Sequence, residues 1–500
     1  MEMLLDLADE LVASSRTTPF SPQRPDRPNF DLPVEYANVN PYQYLQIQES
    51  GSNDSQRGKG WFATQDLPTG TLLMVAKPIE MVMDWQDDSD EQQQKEEEDE
   101  EDEDGMEQDD EDKEPWLNEC LLLQILERLK DEPNLWLDQL SSLFPRDDND
   151  LKSLPTWVCD DDQVFLEVEQ HLQALRTSCP ELTSQHVTEI AKRLPLIIRY
   201  NILSVETCSE LLSYPGPKGH ACLSGVALYH LPSFFNHSST PNCSRWAVGD
   251  VMAFVTNQPV SAGTELCISY IEHDVLCESP YRRNRLLRMN FVDGDPNATP
   301  IPEEEEGPEL PVVDSDVQNE LMAMDPFERL ESIQQLMDQA TGVSIPTDEQ
   351  EQATQQSQEI VEDDSEAMDA APTGSAWFQC DAHNLRILKA LTLDSLGQTE
   401  KALQLWEEAV SFVQDRLPPN DESLVVLCTQ AALCAQHAEK MDVAAKYAAR
   451  ALETHRILFG GGVERFRRRF QNEFELKLRP TSETSDAGPS PVDVLWPMMT

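Results

Sequence analysis

Four short segments carry residue types suited to chemistry rather than packing. In FFNHSSTPNCSRW (Phe234–Trp246), Asn236 and His237 lead a run of Ser, Thr and Pro straight after an apolar stretch. That composition is unusual for a loop unless the loop binds something. ELCISY (Glu265–Tyr270) is a short strand ending on a phenol, with Tyr270 placed 34 residues after Asn236. GKGWFAT (Gly58–Thr64) sets two glycines before an aromatic, and RYNILSVET sets Asn201 at the start of a β-like run. Singly, each has a plain structural reading: a capped surface loop, a tyrosine packed for its area and hydrogen bond, a turn. The glycines open no periodic helix, and no GxGxxG or Walker lysine motif occurs, which argues against a doubly wound nucleotide fold.

The elements that must hold these segments follow from composition and periodicity. Residues 1–43 read as an irregular leader. Over 44–86, YLQIQ, GKGWFAT and TLLMVAKPIEMVM alternate with turns, one of them Pro68-Thr69-Gly70, and predict a small β meander. In the insertion 87–115, acidic residues outnumber lysines nineteen to two between Asp87 and Glu114, so this block is expected to be disordered. Residues 116–199 form a helical insertion: Leu117, Leu121, Ile125, Leu126 and Leu129 recur at helical spacing, as do residues 164–175 and Val187, Ile190, Ala191 and Leu194. β-like segments resume in 200–293. An acidic linker, 294–375, holds one helix with Leu321, Phe327, Leu330, Ile333 and Leu336 on its apolar side.

Residues 376–475 are helical, and 476–500 are a tail. LGQTEKALQLWEEAVSF and AEKMDVAAKYAARALET superpose at a 42-residue offset, pairing Ala402 with Ala444, Leu405 with Tyr447 and Ala409 with Ala451. Small alanines at helix crossings and a long period point to stacked hairpins of the tetratricopeptide (TPR) kind. Two repeats are fewer than usually stand alone, so this unit is expected to lean on the rest of the chain.

Read together, the motifs resemble the SET domain of protein lysine methyltransferases. NHSSTPN, with Asn236, His237, Pro241 and Asn242, and ELCISY, with Tyr270, carry the resemblance; GKG is weak alone. The resemblance implies an α+β fold, a SET-type β core of short strands with a helical insertion, plus an all-α TPR-like C-terminal domain. It implies S-adenosyl-L-methionine as cofactor. Lys59, Gly60 and Trp61 would lie against its methionine moiety, Asn236 and His237 at its adenine, and Asn201 and Phe291 would reach it too. An asparagine amide provides the donor and acceptor an adenine edge requires, and glycine lets backbone approach a ligand. Tyr270 falls on the family's catalytic tyrosine. Methyl transfer from a sulfonium is an in-line displacement, so the task is to align amine, methyl and sulfur while the lysine arrives neutral. Phe234 and Phe235 would line the substrate channel for the target lysine, with core packing the alternative.

The departures also inform. The family's zinc-binding cysteine after NHS is Ser239 here, and Arg288–Pro300 contains no cysteine, so no metal is expected at that site. The order of segments resembles the SET-and-MYND branch, with the acidic block roughly where the MYND finger would stand.

Eleven cysteines scattered singly, without CxxC, suit a reducing compartment. No signal-peptide core and no apolar run near roughly 18 residues occurs, so the expected location is intracellular, nuclear or cytoplasmic, without a membrane partner. The net charge of −56 disfavours DNA or RNA as a ligand. It favours a basic protein substrate such as a histone tail or ribosomal protein. The oligomeric state is left open, a monomer being compatible. Two rivals to a protein-lysine methyltransferase remain: a catalytically inactive SET/TPR scaffold and an acidic binder of basic proteins.

Overall fold

The computed structural model describes residues 40–50, 58–83, 113–132, 134–154, 162–176, 183–206, 224–248, 250–271, 315–340 and 378–460, with 463 and 466. Phe291, the segment 288–300 and most of the acidic blocks lie outside them.

Among the described residues three small sheets share one core. Strands β1 (Leu45–Glu49), β2 (Lys59–Ala63), β10 (Glu265–Ile268) and β7 (Asn236–His237) form one, in that order. Strands β3 (Leu72–Ala76), β9 (Val251–Thr256) and β8 (Cys243–Val248) form the second. Strands β4 (Glu80–Met83), β6 (Ser224–Leu228) and β5 (Ile202–Glu206) form the third. The pairing that matters most is between distant segments. β10 runs antiparallel to β2, with Leu266 opposite Trp61, and parallel to β7, with Cys267 opposite Asn236 and Ile268 opposite His237. GKG is thereby a strand, entered through Gly58 at φ +72°, and not a free loop.

The helical insertion comprises α1 (Lys113–Asp131), α2 (Leu135–Asp138), α3 (Asp148–Ser153), α4 (Asp162–Arg176) and α5 (Ser184–Asn201). α1 begins inside the stretch expected to be disordered, and Pro115 sits in its first turn, where a missing N–H breaks no helical bond. Leu117, Leu121, Ile125, Leu126 and Leu129 are all buried, and they join the same cluster as Trp61, Phe235 and Leu228. The insertion thus shares the β core rather than forming a separate domain.

Among the described residues the linker holds two helices, α6 (Ser315–Ala323) and α7 (Pro326–Ala340), where one was expected. Asp325 accepts from the Phe327 N–H at 3.0 Å and Pro326 opens α7, a helix-start signal inside the apolar pattern. Arg329 reaches back to the carbonyls of Leu321, Met322 and Met324, satisfying the end of α6. Phe327 is 66 % exposed and lies off the apolar side on which it was expected. Ile333 is buried with Leu321, Leu385 and Leu388, which seats this pair on the helices that follow.

Those helices are α8 (Phe378–Ser395), α9 (Thr399–Arg416), α10 (Ser423–His437) and α11 (Met441–Phe459). Ala402, Ala409, Ala444 and Ala451 are fully buried, so the repeated alanines do stand where helices cross closely. The bundle also rests on the β core. Trp246 Nε1 donates to the Leu458 carbonyl at 3.1 Å, and Asn420 Nδ2 donates to the Asn257 carbonyl at 2.6 Å. Every residue of β9 is buried, as its unbroken apolar run requires of a strand covered on both faces.

Candidate functional site

Asn236 and His237 are successive residues of β7, so their side chains leave on opposite faces of the sheet. On one face, Asn236 Nδ2 donates to Glu265 Oε1 at 2.7 Å and lies 3.5 Å from the Lys59 carbonyl. Gly60 lies directly below. A Cβ there would stand 2.3 Å from Glu265 Oε1 and 2.8 Å from Asn236 Nδ2. The glycine is therefore needed for this approach of carboxylate and amide to the backbone. Lys59 is exposed, with its carbonyl turned to Asn236.

Trp61 is fully buried; its Nε1 donates to the Leu231 carbonyl at 2.9 Å, and its ring meets Phe234 edge-on at 6.4 Å. Only its backbone remains for a ligand. Phe234 packs between Trp61 and His230 and belongs to the core.

On the other face, His237 Nδ1 accepts from the Tyr270 N–H at 3.0 Å, which requires Nδ1 to be unprotonated. The imidazole thus fixes the backbone of the tyrosine segment. Tyr270 lies two residues beyond the end of β10 rather than on it, which frees its N–H for that bond. Its hydroxyl donates to the Phe235 carbonyl at 2.8 Å. The Phe235 ring is fully buried and stacked on Phe254, 4.6 Å between centroids and 4° between planes.

Asn201 closes α5 and is 7 % exposed. Its Nδ2 donates to the carbonyls of Phe144 at 2.6 Å and Ile197 at 2.8 Å, so its amide donors are spent on the fold. Asn201, Phe235 and Tyr270 come together around one narrow pocket of about 50 Å³, with Ser204, Ser233 and Arg245 in its wall. Arg245 is anchored to the Ser204 carbonyl at 2.8 Å.

Sequence reasoning did not single out Glu265, Ser233 or Arg245. Glu265 was legible: the lone carboxylate of ELCISY alternates with Leu266, which is buried. Arg245 and Ser233 carried no signal, because only the fold sets them beside Tyr270. Asn242 has a structural task, bracketing β10 by donating to the Glu265 carbonyl and accepting from the Cys267 N–H, both at 2.8 Å. Among the described residues no group of three or more His, Cys, Asp or Glu side chains could hold a metal ion.

The chain is similar to known proteins. Residues 58–271 match the SET domain family. A SET and MYND domain-containing protein of Dictyostelium discoideum is 44% identical over 57 residues, a stretch spanning 11% of this chain and 14% of that relative. The crystal structure of the SET domain of LSMT bound to lysine and AdoHcy aligns with 84% of this chain and 90% of its own, at 10% identity and a TM-score of 0.25.

Proposed function

We propose, from the premise that residues 58–271 form a SET domain, that this chain is a protein-lysine methyltransferase. The observation that carries the reading is the pocket where the Tyr270 hydroxyl, Phe235 and Asn201 converge beside the β7 strand. S-adenosylmethionine, when bound, supplies a methyl group on a positively charged sulfur.

The residues present fit that molecule. On the Gly60 face the Glu265 carboxylate holds the Asn236 amide close to the strand backbone. Asn236, with the backbone of Lys59 and Gly60, would hold the cofactor there, and Asn201, His237 and Trp61 set the surrounding strands. The Tyr270 hydroxyl donates its proton to the Phe235 carbonyl at 2.8 Å, and a phenol oxygen oriented in this way is the kind of group that accepts from an amine N–H. Such a bond turns the nitrogen lone pair along one line, which is the chief demand of an in-line displacement. The lysine enters as an ammonium and gives its proton to water before transfer.

The substrate class is a basic protein segment, drawn toward a chain of net charge −56 by long-range attraction that salt weakens. An intracellular setting is supported by the free thiols of Cys120, Cys243, Cys267, Cys428 and Cys434. Among the described residues, no helix is long and apolar enough to cross a membrane.

Incubation of the purified chain with labelled cofactor and a cell extract tests the reading. Labelled proteins are expected with the wild type, with labelling about 100-fold slower in Tyr270→Phe and lost in Asn236→Ala. Wild-type labelling by both variants sinks the assignment. Calorimetry separates it from the scaffold alternative, which requires no S-adenosylmethionine binding.

A further inference from the structure

We propose that Glu265 is a positioning residue that fixes the hydrogen-bonding polarity of Asn236, leaving the Asn236 amide oxygen to receive a nitrogen donor of the cofactor. The proposal rests on the methyltransferase reading above. A carboxylate accepts hydrogen bonds and donates none. The group 2.7 Å from Glu265 Oε1 is therefore the Asn236 NH2, and the same NH2 faces the Lys59 carbonyl at 3.5 Å. Turning the amide over would set its oxygen against both acceptors, replacing attraction by repulsion. The orientation of an asparagine amide is ordinarily a matter of assignment; here chemistry dictates it.

Glu265 is itself held in place. Ser50 Oγ donates to the same carboxylate oxygen at 2.6 Å, and Glu265 stands opposite Phe62 in the β10–β2 pairing. Gly60 supplies the clearance, since any side chain there would collide with both members of the pair. Three segments remote in sequence thus converge on one amide. With both acceptors on its NH2 side, Asn236 reads a cofactor through Oδ1 alone. It selects for an N–H donor, such as an α-ammonium or an adenine amine, and against an acceptor.

Cofactor binding and steady-state kinetics on the full chain test this. Glu265→Leu is expected to raise the Kd and KM for S-adenosylmethionine about 10-fold or more, the usual effect of losing a charged hydrogen bond, with kcat at saturation little changed. Glu265→Gln keeps an acceptor oxygen and is expected to fall between Leu and wild type. Asn236→Asp sets two carboxylates together and is expected to lose binding. Combining it with Glu265→Gln restores a donor facing an acceptor and is expected to recover most of the affinity. A role in folding alone gives no such recovery, and thermal melts identify any variant that fails to fold. If Glu265→Leu does not fold, the Gln variant and the double variant carry the test. Wild-type affinity in Glu265→Leu, or a double variant no better than Asn236→Asp, overturns the proposal alone. A wild-type chain that binds no S-adenosylmethionine overturns the methyltransferase reading together with it.

Discussion

Tyr270 acts through two atoms: its N–H is held by His237 and its hydroxyl by the Phe235 carbonyl. Tyr270→Phe keeps the ring and the backbone bond but removes the acceptor oxygen. In labelled-methyl transfer assays kcat is expected to fall about 100-fold, the scale for losing one positioned group at a reacting centre, with the cofactor Kd little changed. Gly60→Ala tests the opposite face. A methyl 2.3 Å from Glu265 Oε1 forces that carboxylate to move, and the cost expected of overpacking is about 1–3 kcal/mol, visible as a lower Tm and weaker cofactor binding. Residue identities at this scale were legible, because motif spacing brings Asn236, His237 and Tyr270 to notice without any fold. Which atoms remain free was not. The amide donors of Asn201 serve Phe144 and Ile197, a fact set by packing against a loop 57 residues away.

At the scale of elements, the helical repeat extends to its turns. Gln398 N–H bonds to the Leu393 carbonyl and Lys440 N–H to the Ala435 carbonyl, the same helix-ending arrangement at the same 42-residue offset. The left-handed residue in the first turn is Gly397 at φ +73°, and in the second it is Glu439 at φ +59°. An L-residue is strained in that conformation, so Glu439→Gly is expected to raise stability by about 1 kcal/mol, read as a higher Tm. Beside that turn, His437 Nδ1 lies 3.2 Å from Asp394 Oδ2, joining α10 to α8. The hydrogen bond to Asp394 raises the His437 imidazole above its ordinary value, against the burial that would lower it. A raised value means stability present in full below the unfolded-state value of about 6.5 and lost as pH rises through the folded-state value. The stability difference between wild type and His437→Gln is therefore expected to be largest near pH 5.5 and to shrink above neutrality in denaturant melts at a series of pH values. The neighbouring Cys434 thiol is pushed up to about 12 by burial and by Asp394, so it stays protonated and unreactive. Helical periodicity made α1, α5 and the alanine repeat readable; the break between α6 and α7 falls at Asp325 and Pro326, a helix-start signal inside the apolar run.

For the whole molecule, the junction between the helical bundle and the β core bears on the site. Ile271, the residue after Tyr270, packs into the core of the bundle, and Trp246 is buried between β8 and α11, its ring 6.1 Å from that of Phe459. Trp246→Ala is expected to cost about 3–5 kcal/mol and to lower kcat together with Tm, since loosening the bundle releases the Tyr270 segment. A single calorimetric transition is expected for the wild type, and two separated transitions in the variant would show the bundle melting from the core. The amino-acid sequence by itself determined the amphipathic faces and the alanine repeat, because each depends on neighbours in the chain or on fixed spacing, while the α+β class and the candidate residues for methyl transfer were what the resemblance to the SET domain implied. The tertiary structure alone decided the contacts. Ser50 meets Glu265 across 215 positions, Asn236 meets the Lys59 carbonyl across 177, and Trp246 meets Leu458 across 212. Such meetings follow from strand register and from which face each side chain takes, and local spacing holds neither.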